Sequence, residues 1–388
     1  MDPNVYVSAT VSDHSWDAVI IGGGPAGSSC AQRLVAQGKR VLILDKQKFP
    51  RDKTCAGWVT PAVMEELQID LRDYAANNVL QPITGFRTGV IGDQRAVQVH
   101  YPEAVSYGIL RCEFDNYLLQ RCGAGLQLGE SVKQLTRQAD GWLVNDTMST
   151  PLLIGAGGHF CPVARQVGVK LGGGEQVIAA KEMEINLTPG QARTCQAQGD
   201  VPELYFCDDL SGYGWVFRKG PVINIGLGRD CNRGLTEALH RFVVFLQATG
   251  RIPADLPDSY KGHAYILYGH SRRPPLADRV MLIGDSLGLA YAQSGEGIRP
   301  AVESALMAAE VIGKSGGDYS VLGLNDYARQ LASRFGNPQK KHVVPLVPQA
   351  VKRWAAKRLL RNNWFTQNIV IDKWFLHRHV KPMVNTAA

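Results

Sequence analysis

The sequence has no apolar run of the roughly 20 residues needed to span a lipid bilayer. Its eight cysteines include no C-x-x-C pair and no zinc-ligand spacing, so we expect reduced thiols and no bound metal in this chain of 388 residues. Residues 1–16 are polar and lack the basic and apolar segments of a secretory signal peptide. These absences predict a cytoplasmic protein, either fully soluble or in peripheral contact with a membrane.

The chain also has no internal repeat and no low-complexity segment. Its composition, 45% hydrophobic and 20% charged, is typical of globular proteins. A net charge of +7 favours anionic partners. No nucleic-acid recognition module accompanies that charge, so nucleic acid is not an expected partner. The length predicts two closely joined domains, or one large domain with an insertion, and suffices to enclose a cofactor.

The beginning of the chain has the pattern of strand, turn, helix and strand. Ala18 to Ile21 is a short apolar strand, and a glycine-rich turn follows it. Ser28 to Gln37 has helical periodicity, and Gly38 ends that helix. Arg40 to Asp45 has the apolar centre expected of a parallel strand that is buried on both faces. These segments predict a βαβ unit.

The turn carries the G-x-G-x-x-G motif of dinucleotide-binding sites. Gly22 permits the tight turn, Gly24 lets the backbone approach a pyrophosphate, and Gly27 allows the helix to pack closely on the strand. The helix N-terminus supplies unpaired N–H groups and a partial positive charge for the phosphates. Asp45 ends the second strand, where it can accept hydrogen bonds from both ribose hydroxyls. The predicted cofactor contacts in this region are Gly22, Gly24, Ala26, Gly27, Asp45 and Lys46.

A second signature decides between FAD and NAD. Residues 279–288 (RVMLIGDSLG) and 294–298 (SGEGI) resemble the segment of p-hydroxybenzoate-hydroxylase-type flavoproteins that holds the ribityl chain of FAD. The resemblance implies that Asp285 accepts a ribityl hydroxyl and that a helix starting near Gly297 directs its N-terminus at the pyrimidine edge of the flavin. A helix N-terminus stabilises the negative charge of reduced flavin there. The contacts implied in this region are Gly284, Asp285, Gly295, Gly297 and Ile298.

Phe114 to Arg121 is a predicted helix, and Arg111 lies just before it. Arg111 resembles the arginine that these flavoproteins place against FAD. The alternative is an arginine that forms an ion pair with Glu113 or Asp115.

Beyond these flavin motifs, residues 16–315 resemble the geranylgeranyl reductase family. Residues 49–57 (FPRDKTCAG) are similar to the K-x-C-G-G stretch of that family, and residues 212–217 (GYGWVF) are similar to its Y-x-W-x-F-P motif. Three departures are visible. Ala56 replaces a glycine, Arg218 replaces the proline, and residues 155–158 read G-A-G-G in place of G-A-D-G. The electron donor therefore stays open between NAD(P)H and a reduced electron carrier.

The resemblance implies an FAD-dependent oxidoreductase in which reduced FAD delivers a hydride to a carbon–carbon double bond of an apolar, isoprenoid-like substrate. It implies that Cys55 positions the substrate or supplies a proton. The alternative for Cys55 is a buried thiol that acts as a small hydrophobic group. Tyr213 and Trp215 lie on the same side of one predicted strand and are expected to line the substrate chamber. Their alternative role is packing in the core.

Two other functions remain open. One is an FAD-dependent monooxygenase, either a hydroxylase or a halogenase, that acts on an aromatic or protein-linked substrate through a C4a-(hydro)peroxyflavin. The W-x-W-x-I-P stretch of flavin halogenases is absent, and their active-site lysine has no secure match, although Lys46, Lys48 and Lys53 lie close by in the sequence. The other is a flavoprotein that only carries electrons to a partner.

The expected fold is of mixed α/β class. A Rossmann-like FAD-binding domain with three-layer ββα character is interrupted by a substrate domain with an antiparallel sheet. The strands predicted for that sheet are 96–101, 142–144, 181–186, 213–217 and 222–227. The FAD-binding domain is expected at 16–80, 111–170 and 276–320, the substrate domain at 81–110 and 171–275, and a helical C-terminal region at 321–388.

Residues 340–382 are basic and interleaved with aromatic side chains, and we expect them to be helical. This segment has three interpretations. It can cover the core, rest on an anionic membrane surface, or bind an acidic face of a protein partner. The aromatic residues are Trp354, Trp364, Phe365, Trp374 and Phe375.

Overall fold

The structure, a computed structural model, describes residues 15–171, 175–230, 233–336 and 348–383. The polar segment before residue 15, Cys231 and the beginning of the basic C-terminal segment at Lys340 lie outside the described residues.

The strands are β1 Ala18–Ile21, β2 Val41–Asp45, β3 Trp58–Val59, β4 Leu80–Ile83, β5 Gly85–Val90, β6 Ala96–His100, β7 Ser106–Ile109, β8 Gly125–Leu128, β9 Leu135–Gln138, β10 Gly141–Val144, β11 Met148–Thr150, β12 Leu153–Gly155, β13 Ile178–Asn186, β14 Glu203–Phe206, β15 Gly212–Lys219, β16 Val222–Arg229, β17 Lys261–Tyr265, β18 Leu276–Ala277 and β19 Val280–Leu282. The α-helices are α1 Pro25–Ala36, α2 Pro61–Glu66, α3 Leu71–Asn77, α4 Arg111–Arg121, α5 Pro189–Thr194, α6 Leu235–Ala248, α7 Ile298–Lys314, α8 Asn325–Phe335, α9 Gln349–Leu359 and α10 Asn363–Phe365. The short 3-10 turns are Pro162–Val167, Tyr268–His270 and Gly284–Ser286, and a π-helix, Thr366–Phe375, continues α10.

The first sheet has six strands in the order β18-β19-β12-β1-β2-β8. All neighbours are parallel except β18, which pairs antiparallel with β19. The central strand β1 is buried along its whole length, because helices α1 and α7 pack together on this sheet. Strands β1, β2 and β12 end side by side: Ile21, the last residue of β1, pairs with Gly155, the last residue of β12, and with Leu44, one residue before the end of β2. Ligands of open α/β sheets bind at such an edge.

The largest sheet has seven strands in the order β17-β13-β16-β15-β14-β5-β6. Its neighbours are antiparallel, apart from the parallel pair β14 and β5. Helix α6 covers one face, where Phe242 and Leu246 are buried among side chains of β16. The opposite face carries Trp215 and Phe217, and the C-terminal π-helix packs against it through Phe375. Both faces are therefore covered over much of this sheet.

Two small antiparallel sheets complete the fold in the described residues. One has the order β3-β7-β4, and the other has the order β11-β10-β9. The second contains Trp142 and Val144, which pack into the core of the six-stranded sheet. The strand predicted at 142–144 therefore exists, but its assignment to the substrate sheet was wrong. Periodicity locates a strand without specifying its partner, and this strand pairs with its neighbours along the chain.

The described part of the C-terminal segment is helical in α9, α10 and the π-helix. In the residues that the structure describes, no helix combines the length and the apolarity that crossing a bilayer requires.

Candidate active site

A cavity of about 630 Å³ lies at the carboxyl edge of the parallel strands and extends to one face of the seven-stranded sheet. Segments that are far apart in the sequence form its wall. Of the predicted site residues, the wall contains Gly22, Gly24, Ala26, Asp45, Lys46, Cys55, Arg111, Tyr213, Trp215, Asp285, Gly295, Gly297 and Ile298.

The glycine turn between β1 and α1 is shaped for a ligand at one of its three motif positions. A Cβ atom on Gly22, which has φ +113°, would lie 2.5 Å from the Ala156 carbonyl oxygen, and one on Gly27 would lie 1.9 Å from the Gly22 carbonyl oxygen. A Cβ atom on Gly24 would meet only the Arg51 guanidinium, at 3.4 Å, because Gly24 faces the cavity. Gly22 and Gly27 thus serve packing, and Gly24 leaves the backbone open at the start of α1.

Asp45 is held in place at the end of β2. One carboxylate oxygen accepts a hydrogen bond from the Gly23 N–H at 2.8 Å, and the other accepts one from the Gln47 N–H at 2.9 Å. A carboxylate oxygen has two lone pairs, so each can also accept a hydroxyl hydrogen from a ligand. The arrangement fits a ribose that lies in the cavity beside Asp45.

The second flavin signature forms the opposite part of the wall. Asp285 lies in the 3-10 turn after β19, and α7 begins at Ile298. A Cβ atom on Gly297 would lie 3.0 Å from the Asp285 Oδ1 atom, so the glycine allows the carboxylate to lie against the start of α7. Gly284 is not part of the wall. A Cβ atom there would lie 3.0 Å from the Ala26 Cβ atom, so Gly284 serves the close approach of the two segments.

Arg111 forms one of the ion pairs that its sequence context left open, and it also lines the cavity. It donates two hydrogen bonds of 2.8 Å to Asp115, one turn later in α4, and the two side chains are almost fully buried. Arg51 approaches the same carboxylate at 3.1 Å. Because both arginines also line the cavity, the ion pair holds them as fixed donors at its wall. Buried arginines favour an anionic ligand such as a phosphate.

The loop that carries Cys55 is bound to the seven-stranded sheet by polar side chains. The Cys55 N–H donates to the Glu182 carboxylate, and the Asn224 side-chain amide donates to the Cys55 carbonyl oxygen at 3.1 Å. The fully buried Lys219 ammonium donates to the Ala56 carbonyl oxygen at 3.1 Å and to Glu184 at 2.6 Å. The Cys55 thiol accepts a hydrogen bond from the N–H of Gly57 at 3.4 Å.

The same loop explains one departure from the family motif. Gly57 has φ +69°, and a Cβ atom there would lie 2.3 Å from the Ile109 carbonyl oxygen and 2.5 Å from the Lys219 ammonium. The second glycine of the motif is therefore required at this position. Ala56 keeps its carbonyl group available to Lys219, so a methyl group at the first glycine position leaves this contact intact.

Tyr213 and Trp215 both line the cavity and are both packed. The Trp215 indole N–H donates to the Asn224 side-chain oxygen at 2.7 Å. The Tyr213 hydroxyl donates to the Ser294 carbonyl oxygen, and its ring lies 5.1 Å from that of Phe375. Tyr213 thus joins the sheet to the segment that precedes α7, so the chamber and the second flavin signature form one site.

Sequence reasoning missed several polar residues of the cavity wall. Glu182 is the most prominent. Lys53 lies 3.3 Å from the His263 ring and is largely buried, which lowers its pKa. Burial and the nearby Lys53 charge lower the pKa of His263 to about 3. The sequence shows Glu182 only as one of two glutamates that alternate on a predicted strand, a pattern that ordinarily indicates a water-facing side. The residues that bind Glu182 and Glu184 cannot be identified from spacing in the sequence.

The fold and the site together define a flavoprotein that binds FAD across the edge of its parallel sheet. The observations that support this are the open cradle at Gly24, the fixed acceptor at Asp45 and the second acid at Asp285 beside the start of α7. Residues 15–314 match the family of FAD binding domains, so the chain belongs to that family and its cofactor is FAD. It is an FAD-dependent oxidoreductase, as the sequence predicted.

Curated relatives carry reductase names. The chain is 26% identical over 359 residues to digeranylgeranylglycerophospholipid reductase 3 of Methanosphaera stadtmanae, covering 84% of this chain and 85% of that protein. It is 29% identical over 319 residues to menaquinone reductase of Mycobacterium tuberculosis, covering 77% of each. These relatives confirm the resemblance to the geranylgeranyl reductase family that the sequence motifs indicated.

Solved structures agree on the fold. A geranylgeranyl bacteriochlorophyll reductase-like protein of Thermoplasma acidophilum matches with a TM-score of 0.71 and 20% identity, over 96% of this chain and 94% of that one. The halogenase PltM in complex with phloroglucinol and FAD matches with a TM-score of 0.67 and 14% identity, over 90% of this chain and 78% of that one. Both confirm the mixed α/β fold.

Proposed function

We propose that this protein reduces a carbon–carbon double bond in an apolar, isoprenoid-like chain. The observation that supports this proposal is that Cys55, Tyr213 and Trp215 line the same cavity as Gly24 and Asp45 of the FAD site. These three residues come from the two reductase-type motifs. Reduced FAD, when bound, supplies the hydride for such a reaction. The relatives named for digeranylgeranyl lipids and menaquinone support a substrate with a prenyl chain.

The residues of this chain would bind and orient that substrate. Ala180 on β13 lines the cavity with a small side chain, and Gly226 and Gly228 on β16 leave room for the Trp215 ring to lie flat against the sheet. Trp215 and Phe217 supply apolar surface on that face. When an apolar chain enters this space, its own surface and the aromatic surface of the cavity are both removed from water. Binding is then favoured in proportion to the apolar area that is buried.

The test is a titration of the reduced protein without oxygen. We expect a lipid with a geranylgeranyl chain to return the visible absorbance of oxidised flavin, whereas its fully saturated counterpart leaves the flavin reduced. Formation of the saturated product is measured in the same samples. A flavin that stays reduced with every prenylated lipid and reoxidises only when oxygen is admitted, with oxygen inserted into an aromatic substrate, would contradict this proposal and favour the monooxygenase.

We further propose that α9 and α10 rest on an anionic membrane surface, the source of such lipids. Helix α9 carries four basic side chains and no acidic one. Val351, Trp354 and Leu359 on α9 and Trp364 on α10 are exposed by 50%, 66%, 45% and 66%. A basic helix with exposed tryptophans is typical of helices that lie in a membrane interface.

Vesicle binding checks this surface. We expect the double variant Arg353→Gln/Arg358→Gln to bind phosphatidylglycerol vesicles more weakly by on the order of 30-fold, because each of the two basic residues contributes about 1 kcal/mol near an anionic surface. Leu322→Ser is the control, since Leu322 is 86% exposed and lies outside these helices. Equal binding of the double variant and the wild type, or equal binding of the wild type to neutral phosphatidylcholine vesicles, would contradict a contact with an anionic membrane surface.

A further inference from the structure

Glu182 is a buried acid in the floor of the substrate chamber. It lies on β13, is 5% exposed and contributes to the cavity wall. One carboxyl oxygen accepts a hydrogen bond from the Cys55 N–H. The other oxygen is buried and has no hydrogen-bond partner within the described part of the chain. Buried polar atoms in native proteins are normally paired, so an unpaired one at a cavity wall calls for an explanation in function.

The strand register places this carboxyl beside Trp215. Glu182 on β13 pairs with Gly226 on β16, and Gly226 pairs with Trp215 on β15, so the three residues lie in one row across the sheet. A Cβ atom on Gly226 would lie 2.2 Å from the Trp215 ring and 2.8 Å from the Glu182 Cβ atom. The glycine thus lets the indole lie next to the acid, and the substrate chain would pass over both.

The surroundings favour the protonated acid. The pKa of Glu182 is raised to about 7: burial is the main cause and Glu184, two residues along the strand, adds to it, whereas the Cys55 N–H and the nearby Asn224 amide lower it. Lys219 on β15 lowers it, but this lysine is already paired with Glu184 at 2.6 Å. Lys261 on β17 is 67% exposed and paired with Asp52. Other titratable side chains of the same cavity wall include Lys53, Cys55, Arg111, Tyr213, His263, Tyr265, Asp285 and Glu296, the last of which lies beside the start of α7 rather than on the seven-stranded sheet.

We propose that Glu182 is the proton donor of the reaction. The inference rests on the proposed function, because saturation of a double bond requires a hydride at one carbon and a proton at the other. The hydride comes from reduced FAD under that function. The proton comes from the Glu182 carboxyl: its O–H bond breaks, a C–H bond forms at the second carbon, and a carboxylate remains. Water that enters the cavity between turnovers returns the proton. Cys55 then positions the carboxyl through its backbone N–H.

The test compares the wild type with Glu182→Gln and Cys55→Ser in oxygen-free single-turnover reactions across pH. In the wild type we expect the rate to fall as pH rises above about 7, because the acid must be protonated to act. Glutamine keeps the size of the side chain and holds no transferable proton. We therefore expect a rate lower by on the order of 100-fold and no alkaline decline. Cys55→Ser keeps the alkaline decline.

A readout independent of turnover accompanies the rates. An infrared carboxylic-acid band that disappears on alkaline titration in the wild type and is missing from Glu182→Gln identifies the protonated group. Flavin occupancy and binding of the saturated lipid stay at wild-type level in Glu182→Gln, whereas a merely structural role would lower both. An alkaline decline that persists in Glu182→Gln at full rate overturns the inference alone. If no prenylated lipid reoxidises the reduced wild type, the proposed function itself is contradicted, and the role of Glu182 falls with it.

Discussion

Gly27→Ala abolishes FAD binding and destabilises the fold. A methyl group at this position would lie 1.9 Å from the Gly22 carbonyl oxygen, which is a backbone atom and cannot rotate away. Either α1 separates from β1 or the glycine turn changes its path. Overpacking in a core costs about 1–3 kcal/mol, and contact with rigid backbone places this case at about 3 kcal/mol or more. The displaced turn would also lose the open position at Gly24.

The matched control is Gly190→Ala. Gly190 lies in helix α5. A Cβ atom added to it would lie 3.9 Å from the Thr188 hydroxyl oxygen, its nearest neighbour. Alanine is a better helix former than glycine, so this variant should be as stable as the wild type or slightly more stable. Urea denaturation measures the stability of each variant, and flavin absorbance after purification measures its FAD content. A Gly27→Ala protein with full flavin content and unchanged stability would show that the helix and the turn are not packed as described.

Lys219→Met is expected to lower the free energy of unfolding by about 3 kcal/mol. Removal of one partner from a buried ion pair costs about 3–5 kcal/mol, because the other charge is left unpaired. The Glu184 side chain is 26% exposed, so water can partly solvate the orphaned carboxylate, and the lower end of the range applies. The variant also removes the hydrogen bonds to the carbonyl oxygens of Ala56 and Ile109. We expect the Cys55 loop to loosen as a result.

A second substitution separates the charge from the hydrogen bonds. In Lys219→Met/Glu184→Gln no unpaired carboxylate remains, so about half of the lost stability should return. Lys314→Ala is the control, since Lys314 forms an exposed ion pair with Glu310, and exposed pairs contribute little. Its urea midpoint should match the wild type. A midpoint for Lys219→Met that also equals the wild-type value would mean that Lys219 does not bind the loop to the sheet.

The cofactor half of the site was predictable because its signals are local. The βαβ unit, the glycine turn and Asp45 fall within 28 residues of one another, and each glycine has one steric reason for its position. The segment around Asp285 is equally compact. Arg111 and its partner Asp115 are one helical turn apart, so this ion pair could also be anticipated from spacing.

The substrate half depends on pairing between distant strands. Cys55 meets Glu182, Asn224 and Lys219 because β13, β15 and β16 are neighbours in one sheet and the loop rests on their face. No spacing in the sequence reveals that register. Alternation also misled at Glu182, because polar residues in a strand are expected to face water. Here the polar face points into the protein and holds the loop.

The central claim, that two distant segments bind one FAD, is tested most directly by titrating flavin-free protein with FAD and measuring bound flavin. The wild type should bind about one FAD per chain, and Asp285→Ala should bind it at least tenfold more weakly, since a hydrogen bond to a charged group contributes about 1.5–3 kcal/mol. A wild-type protein that takes up no flavin, or an Asp285→Ala variant with full affinity, would contradict the account.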